Sequence, residues 1–291
     1  MDVHALIGRR RRLIGLLALL AAIITGLAAS AAARADNYVS LGDSYVAGPF
    51  IPNPIGSPYG CLKSDHNYPH LSAAGIGLSL RDPSCSGATT DDMTQPQGVD
   101  PDGPNPPQFN SLDASTKVIS LTIGGNDIGF SSIAESCITY NPFSHPCKDK
   151  YDSGGVVQIS QRIQATAPKV AAVLQGIHAR SPSARVFVVN YPAIFPETGS
   201  GCWPQMPISY SDTPYLRAKE QELNQMLATQ AAANGASLVS WYAASIGHDA
   251  CKSSSVRWVE PLVPGNSAAP IHPNAAGMQG GSNVLVSAVH G

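Results

Sequence analysis

This 291-residue sequence lacks the signatures of several common classes of enzyme and binding protein. Its cysteines form no C-x-x-C pair, which argues against a zinc site or a thioredoxin-like redox site. It contains no G-x-S-x-G motif, so the α/β-hydrolase fold loses its main sequence support. Positive charge is not in excess, since 20 acidic residues stand against 18 basic ones, and we expect no nucleic-acid partner.

Long apolar runs are also scarce, and the one that is present follows a basic cluster near the N-terminus. Leu13 to Leu27 is apolar apart from small residues, Arg9 to Arg12 precede it, and Ala33-Arg34-Ala35 fits an A-x-A cleavage site. This pattern predicts a signal peptide over residues 1–35 and a single exported domain over residues 36–291. The alternative is a retained membrane anchor, for which the run is short. The paired arginines leave twin-arginine export open beside the general route.

Six cysteines follow the predicted signal peptide, and an even number in an exported chain predicts three disulfides. Many pairings are possible. We predict that neighbours pair, because each such bond closes a loop-rich stretch; buried free thiols are the alternative. The predicted pairs are Cys61–Cys85, Cys137–Cys147 and Cys202–Cys251.

Short apolar runs alternate with helical patterns along the rest of the chain. This alternation predicts an α/β fold, a three-layer α/β/α sandwich with a mainly parallel five-stranded sheet. The predicted strands are Asn37–Leu41, Leu78–Arg81, Lys117–Ile123, Arg185–Asn190 and Ser237–Trp241. The predicted helices are Tyr68–Gly77, Val156–Arg180, Thr213–Asn234 and Asn274–Val289.

Three stretches rich in Pro and Gly break this pattern: Pro49–Ser64, Thr94–Gln108 and Pro192–Ser211. Loops of this length in a compact domain often carry function, although plain surface decoration is an equal alternative for any one of them. The third loop also contains apolar residues that suit an acyl chain, namely Ile194, Phe195, Trp203, Met206 and Ile208.

Ser44 directly follows the first predicted strand, in Gly42-Asp43-Ser44. In a parallel sheet, ligands bind beyond the carboxyl ends of the strands, so Ser44 lies where a site is expected. Taken alone, it could equally be an ordinary helix N-cap.

Three further segments carry groups that suit acyl transfer. Gly87 can offer an unobstructed backbone N–H, Asn126 a side-chain amide, and His272 an imidazole just before the last predicted helix. A nucleophile, two donors and a base, each in a loop beside the sheet, are the parts of an acyl-transfer site.

These four segments resemble the conserved blocks of the SGNH (GDSL-type) hydrolases. Gly42-Asp43-Ser44 matches the serine block, Gly87 the glycine block, Gly125-Asn126-Asp127 the asparagine block and His272-Pro273 the histidine block, in the family's order. The cysteines and Trp258-Val259-Glu260-Pro261 look like the secreted three-disulfide esterases and lipases of actinobacterial type. The resemblance implies a flavodoxin-like sandwich, disulfides between neighbouring cysteines, and an oxyanion hole formed by Ser44, Gly87 and Asn126.

One position departs from the family pattern. Many members carry an aspartate three residues before the histidine, but this chain has Ala269 there. The resemblance to the three-disulfide branch therefore implies a Ser44–His272 dyad, with the backbone carbonyl of Ala269 orienting the imidazole. Asp249 or Glu260 could replace it from a loop, although both suit a role in loop structure better.

The expected activity is that of a secreted serine ester hydrolase, a lipase or carboxylesterase acting through an acyl-enzyme. A carbohydrate acetylesterase or phospholipase of the same family is the alternative, and a non-catalytic binding protein is a third. We expect an acyl ester substrate, a monomer, no cofactor and no metal. His66 and His70 are four residues apart, but no carboxylate completes a metal set.

Overall fold

A five-stranded sheet forms the centre of the protein. The structure, a computed structural model, describes residues 37–155 and 157–291, so the predicted signal peptide lies outside the described residues. All neighbouring strands are parallel, and they lie in the order β2-β1-β3-β4-β5. The strands are β1 (Asn37–Gly42), β2 (Ser79–Arg81), β3 (Thr116–Thr122), β4 (Arg185–Val189) and β5 (Ser237–Val239). The predicted fold class and all five predicted strands are confirmed.

Helices cover both faces of this sheet. The four predicted helices are present, each with bounds within two residues of the prediction, and two shorter ones flank the second disulfide. The helices are α1 (Tyr68–Ile76), α2 (Phe130–Ser136), α3 (Pro146–Tyr151), α4 (Gln158–Arg180), α5 (Asp212–Ala233) and α6 (Ala275–His290). One-turn helices lie at Ser44–Ala47 and Trp241–Ala244, and 3₁₀ turns at Tyr59–Cys61, Thr90–Met93, Gln108–Ser111 and Ser153–Gly155.

Alternate residues of each strand enter two separate cores, as the two-residue repeat of a strand requires. In β4, Val186 and Val188 pack with α4 and α5, whereas Phe187 and Val189 pack with α1 and α6. The three central strands β1, β3 and β4 are therefore covered on both faces, which explains why they appear in the sequence as continuous apolar runs. The edge strands β2 and β5 are partly exposed.

Capping residues set the helix ends that the sequence indicated. The Asn67 side chain accepts the backbone N–H of His70 at the start of α1, and the Asn274 side chain accepts that of Gly277 at the start of α6. Gly77 ends α1 in the left-handed region, at φ 75°.

The three disulfides join Cys61 to Cys85, Cys137 to Cys147 and Cys202 to Cys251, as predicted. The first two of the irregular loops contain short antiparallel pairings, Pro54–Ile55 with Lys63–Ser64 and Gln97 with Asn105. No helix in the described part of the chain is long and apolar enough to cross a membrane.

Candidate active site

Ser44 lies just beyond β1, as the first residue of a one-turn helix that Asp43 caps by accepting the backbone N–H of Tyr45. Gly42, two residues before Ser44, has a φ of 151°, and a Cβ at this position would lie 2.3 Å from the Thr122 carbonyl oxygen. Only glycine permits this close approach of β1 to β3. Because β1 has β2 on one side and β3 on the other, Ser44 lies at the point where the strand order reverses, which is the usual ligand site of such sheets.

His272 reaches Ser44 from the opposite end of the chain. Its Nε2 lies 2.7 Å from Ser44 Oγ, and its Nδ1 lies 2.7 Å from the Pro270 carbonyl oxygen. A carbonyl can only accept a hydrogen bond, so Nδ1 carries the proton and Nε2 is left to accept the Ser44 hydroxyl. The pair is therefore arranged for proton transfer from the serine to the histidine.

The prediction that the Ala269 carbonyl orients His272 is wrong by one residue. Ala269 O instead accepts the backbone N–H of His272 at 3.2 Å, which closes a tight turn. Within that turn Ile271 adopts a φ of 62°, a left-handed conformation rare for a β-branched residue. In this turn the Pro270 carbonyl, rather than that of Ala269, is the one that reaches Nδ1.

Several contacts hold the histidine turn in this conformation. The Tyr45 hydroxyl donates to the Ile271 carbonyl at 2.6 Å, and the Tyr45 ring lies 4.9 Å from the His272 ring between centroids. The backbone of Glu260 pairs with the turn on both sides, accepting from Ile271 and donating to His272 O. Burial lowers the pKa of His272 below its ordinary value, against the opposing effect of its bond to Pro270.

Gly87 and Asn126, the two predicted oxyanion donors, line the same cavity as Ser44 and His272. The Asn126 Nδ2 donates to the Ala88 carbonyl at 2.8 Å, which orients the amide beside the glycine loop. The buried Asp127 carboxylate accepts both the backbone N–H and the hydroxyl of Thr90. These bonds tie the glycine block to the asparagine block, and Gly87 itself adopts a φ of 82°.

The family model that matches this chain is that of the GDSL-like lipase/acylhydrolase family, over residues 40–279. The chain belongs to this family. Lipase 2 of Streptomyces coelicolor is 39% identical over 250 residues, which cover 83% of this chain and 81% of that protein. Lipase 1 of the same organism is 32% identical over 286 residues, covering 94% and 96% respectively.

Solved structures of two further Streptomyces proteins resemble this GDSL-like hydrolase. A phospholipase A1 from Streptomyces albidoflavus superposes with a TM-score of 0.73 at 28% identity, covering 87% of this chain and 99% of that one. An extracellular lipase from Streptomyces rimosus also gives 0.73 and 28%, covering 87% and 100%. Together with the family match, these relatives identify the chain as a carboxylic ester hydrolase of the lipase and esterase type.

Tyr191 joins the serine and asparagine blocks of this GDSL-like hydrolase, and the sequence analysis missed it. Its hydroxyl donates to Asp43 Oδ2 at 2.5 Å and accepts the Gly125 backbone N–H at 2.8 Å. Burial raises the pKa of Asp43 to about 7 and that of Tyr191 well above 10. The Asn224 side chain binds both the N–H and the carbonyl of Tyr191. The sequence signal that could have identified Tyr191 is its position just after β4, at the edge of the sheet where ligands are expected.

Gln108 was missed in the same way. Its side-chain amide accepts from the Gly42 backbone N–H at 2.8 Å and donates to the Gly42 carbonyl at 2.9 Å. The 3₁₀ turn that carries Gln108 ends one of the irregular loops, so this loop helps to hold the residue two positions before Ser44.

The two carboxylates considered as substitutes for a triad aspartate serve loop structure. Burial by itself raises the pKa of the Glu260 carboxyl. Hydrogen bonds from Arg257, Asn274 and Asn266 outweigh that effect and lower this pKa to about 2. Asp249 accepts the Cys251 backbone N–H at 3.0 Å. Neither carboxylate binds His272, whose two ring nitrogens contact Ser44 and Pro270.

A cavity of about 240 Å³ extends from Ser44 between α2, α5 and the third irregular loop. Glu220 of α5 holds that loop by accepting the Ile194 backbone N–H at 2.9 Å, and burial raises its pKa to about 8. Trp203, expected among the acyl-facing residues, is not in the cavity wall. The wall is largely apolar and includes Phe130, Ile133, Ile194, Phe195, Met206 and Ile208.

The two histidines considered for a metal lie away from this cavity. His66 contacts Asp65, and His70 Nδ1 lies 2.7 Å from Asn67 Oδ1. Among residues 37–155 and 157–291, no group of three or more His, Cys, Asp or Glu is arranged to hold a metal ion.

Proposed function

We propose that this ester hydrolase uses Ser44 as its nucleophile and His272 as its general base and acid. The observation that carries the proposal is the 2.7 Å contact between His272 Nε2 and Ser44 Oγ, with Nδ1 satisfied by a carbonyl. His272 takes the Ser44 proton as the serine oxygen attacks the ester carbonyl. It then protonates the leaving alcohol, and water repeats both steps to release the acid.

The oxyanion of each tetrahedral intermediate is bound, in this proposal, by the backbone N–H groups of Ser44 and Gly87 and by the Asn126 amide. Support comes from the bonds that orient these groups before substrate arrives. Ala88 fixes the Asn126 amide, while Asp127 anchors Thr90 and with it the glycine loop. Such preorganised donors need little rearrangement as charge develops on the oxygen.

We propose a lipid-type acyl ester as the substrate, with its acyl chain in the apolar cavity. An acetyl group leaves most of an apolar cavity of about 240 Å³ unfilled, so the wall favours longer chains over acetylated sugars. A series of p-nitrophenyl esters, run beside acetylated xylan, tests this. We expect kcat/KM to rise from acetate to medium-length chains; a preference for acetate or release of acetate from xylan would contradict the proposal.

We also propose that residues 1–35 are removed on export and that residues 36–291 act outside the cell as a monomer. Three disulfides support an oxidising compartment. N-terminal sequencing of protein from the medium is expected to start at Asp36, and light scattering is expected to give the mass of one chain.

Asn126→Ala is expected to lower kcat for p-nitrophenyl butyrate by about 10²–10³-fold with little change in KM, because it removes one oxyanion donor. Steady-state kinetics measures this. Asn110→Ala, at an exposed position of a 3₁₀ turn, is the matched control and is expected to leave kcat unchanged. A rise in KM alone would show that Asn126 acts in binding rather than in the transition state.

The pH dependence of kcat/KM is expected to follow the protonation of His272. Only neutral His272 can accept the serine proton, and its pKa lies below 6.5. Activity is therefore lost as pH falls through that pKa, with a one-proton midpoint below the ordinary value of a histidine. Stopped-flow or steady-state rates on a soluble ester as a function of pH measure the midpoint.

Asp43 is a buried acid directly before Ser44, with a pKa raised to about 7, so the Asp43→Asn variant tests whether Asp43 or His272 causes the loss of activity at low pH. Asparagine keeps an acceptor for the Tyr45 N–H but does not titrate. We expect a lower rate, because the bond from Tyr191 changes, and the same acid midpoint. Loss of the acid limb in Asp43→Asn would assign it to Asp43 instead.

A further inference from the structure

Four large apolar side chains are exposed together on one side of the protein. They form the outer patch, which we define as Ile138, Tyr140, Phe143 and Tyr210. Tyr140 is 96% exposed and Phe143 80% exposed, and the Phe143 and Tyr210 rings lie 5.6 Å apart between centroids. Single exposed apolar residues are ordinary, but a contiguous group of aromatic ones marks a surface that meets another apolar phase.

The loop that carries the outer patch is firmly braced, so these side chains are held outward. The Cys137–Cys147 disulfide closes the loop at its base. The Thr139 backbone N–H donates to the Pro207 carbonyl at 2.8 Å, and its carbonyl accepts the Trp203 indole N–H at 3.2 Å. This explains why Trp203 is absent from the cavity wall: its indole supports the outer patch.

The outer patch continues two walls of the apolar cavity onto the surface. Ile138 forms an antiparallel bridge with Ile208, and Ile208 itself lines the cavity. On the other side, α2 contributes Ile133 to the cavity wall and runs directly into Cys137 at the start of the patch loop. The same two segments therefore contact the cavity inside and carry the exposed aromatic residues outside.

We propose that the outer patch docks this enzyme on a lipid–water interface, a proposal that rests on the acyl-ester function proposed above. Tyr and Phe side chains suit the boundary between head groups and acyl chains, since each presents a large apolar ring at little entropic cost. Over residues 135–151, Glu135 and Asp149 balance Lys148 and Lys150. Docking is thus by apolar insertion on an uncharged or zwitterionic surface, and it is insensitive to salt.

Binding to phosphatidylcholine vesicles tests the proposal directly. The measurement uses the Ser44→Ala variant, so that the vesicle lipid is not hydrolysed. Co-sedimentation then gives the partition coefficient of the protein between water and vesicles. Adding Tyr140→Ser and Phe143→Ser is expected to lower partitioning about tenfold or more, because burial of one large apolar side chain suffices for a factor of that size. Val263→Ser, at a residue 76% exposed elsewhere on the surface, is the matched control and is expected to change partitioning little.

Three outcomes would overturn the proposal: no vesicle binding by the parent protein, equal binding by the patch variant, or binding lost at about 0.5 M salt as for a charge-driven contact. A patch variant that instead changes the oligomeric state in the absence of vesicles would assign the patch to self-association. Both replaced side chains are exposed, so an unchanged melting temperature is expected to verify folding.

Activity separates this proposal from the proposed function. With Ser44 intact, the patch variant is expected to keep the parent kcat/KM on monomeric p-nitrophenyl butyrate and to lose about tenfold or more on vesicle-borne esters. Failure of the parent to cleave any ester would refute the proposed function and leave the vesicle-binding result to decide on the patch. Equal loss on both substrates would show that the variant disturbs the site, and would contradict an interfacial role.

Discussion

Replacing Ser44 with alanine is expected to lower kcat/KM for p-nitrophenyl butyrate by about 10⁴-fold or more. The hydroxyl is the group that attacks the ester carbonyl in the proposed mechanism, and the described contacts offer no second nucleophile beside His272 Nε2. The effect is expected in kcat rather than in KM, because the cavity proposed to bind the acyl chain is unchanged. Initial rates with the purified variant measure it.

Ser255→Ala, at an exposed loop serine, is the matched control and is expected to retain full activity. The Ser44→Ala fold is expected to be intact, since among the described residues the Ser44 side chain bonds only to His272. Labelling with a fluorophosphonate followed by peptide mass spectrometry provides a second reading: the adduct is expected on Ser44 of the parent and absent from the variant. Full turnover by Ser44→Ala, or an adduct on another serine, refutes the assignment.

His272→Ala is expected to reduce kcat by a comparable factor, about 10³–10⁵-fold. Without the imidazole the serine hydroxyl has no base, and the leaving alcohol has no acid. If Ser44 and His272 act as a unit, as proposed, the kcat of the double variant is expected to be no lower than that of the less active single variant. Additive losses would show that the two residues act independently, contrary to the proposed dyad.

His290→Ala, at the exposed end of α6, serves as the control for loss of a histidine and is expected to leave the rate unchanged. The residual activity of His272→Ala is also expected to lose the acid limb of the pH profile, because that limb reports the protonation of His272. A His272→Ala variant that keeps the same limb would place the titrating group elsewhere.

His272 Nδ1 donates its hydrogen bond to a neutral carbonyl rather than to a carboxylate, which affects the stability of protonated His272. The Pro270 carbonyl fixes the tautomer and orientation of His272, but as a neutral group it stabilises an imidazolium less than a carboxylate would. Burial lowers the pKa of His272, and the hydrogen bond to the Pro270 carbonyl opposes that effect without outweighing it. The site thus favours neutral His272 at rest, ready to accept a proton.

Most of the fold could be predicted from the sequence because its signals are local. Apolar runs bounded by turn residues indicated all five strands, and apolar residues at helical spacing indicated the four long helices. The helices α2 and α3 were missed because, at seven and six residues, they are too short to show a helical repeat. The second disulfide joins Cys137, which follows α2, to Cys147 within α3.

The chemical groups of the candidate site could also be predicted from the sequence, since a serine, a glycine, an asparagine and a histidine each follow or precede a regular element. The residues that hold these groups in place could not be predicted. Tyr191, Gln108 and Asn224 act through contacts with residues distant in sequence, and an ordinary Tyr, Gln or Asn carries no local mark of such a contact.

The sequence by itself determined the order of strands and helices, the number of disulfides and the kinds of reactive group. Only the tertiary structure decided how those groups meet. The 2.7 Å contact between Ser44 and His272 spans 228 positions, and the acceptor for Nδ1 depends on a left-handed Ile271, a backbone state that its side chain disfavours. Packing and hydrogen bonds of the surrounding chain impose such states, so they appear only when the whole domain is folded.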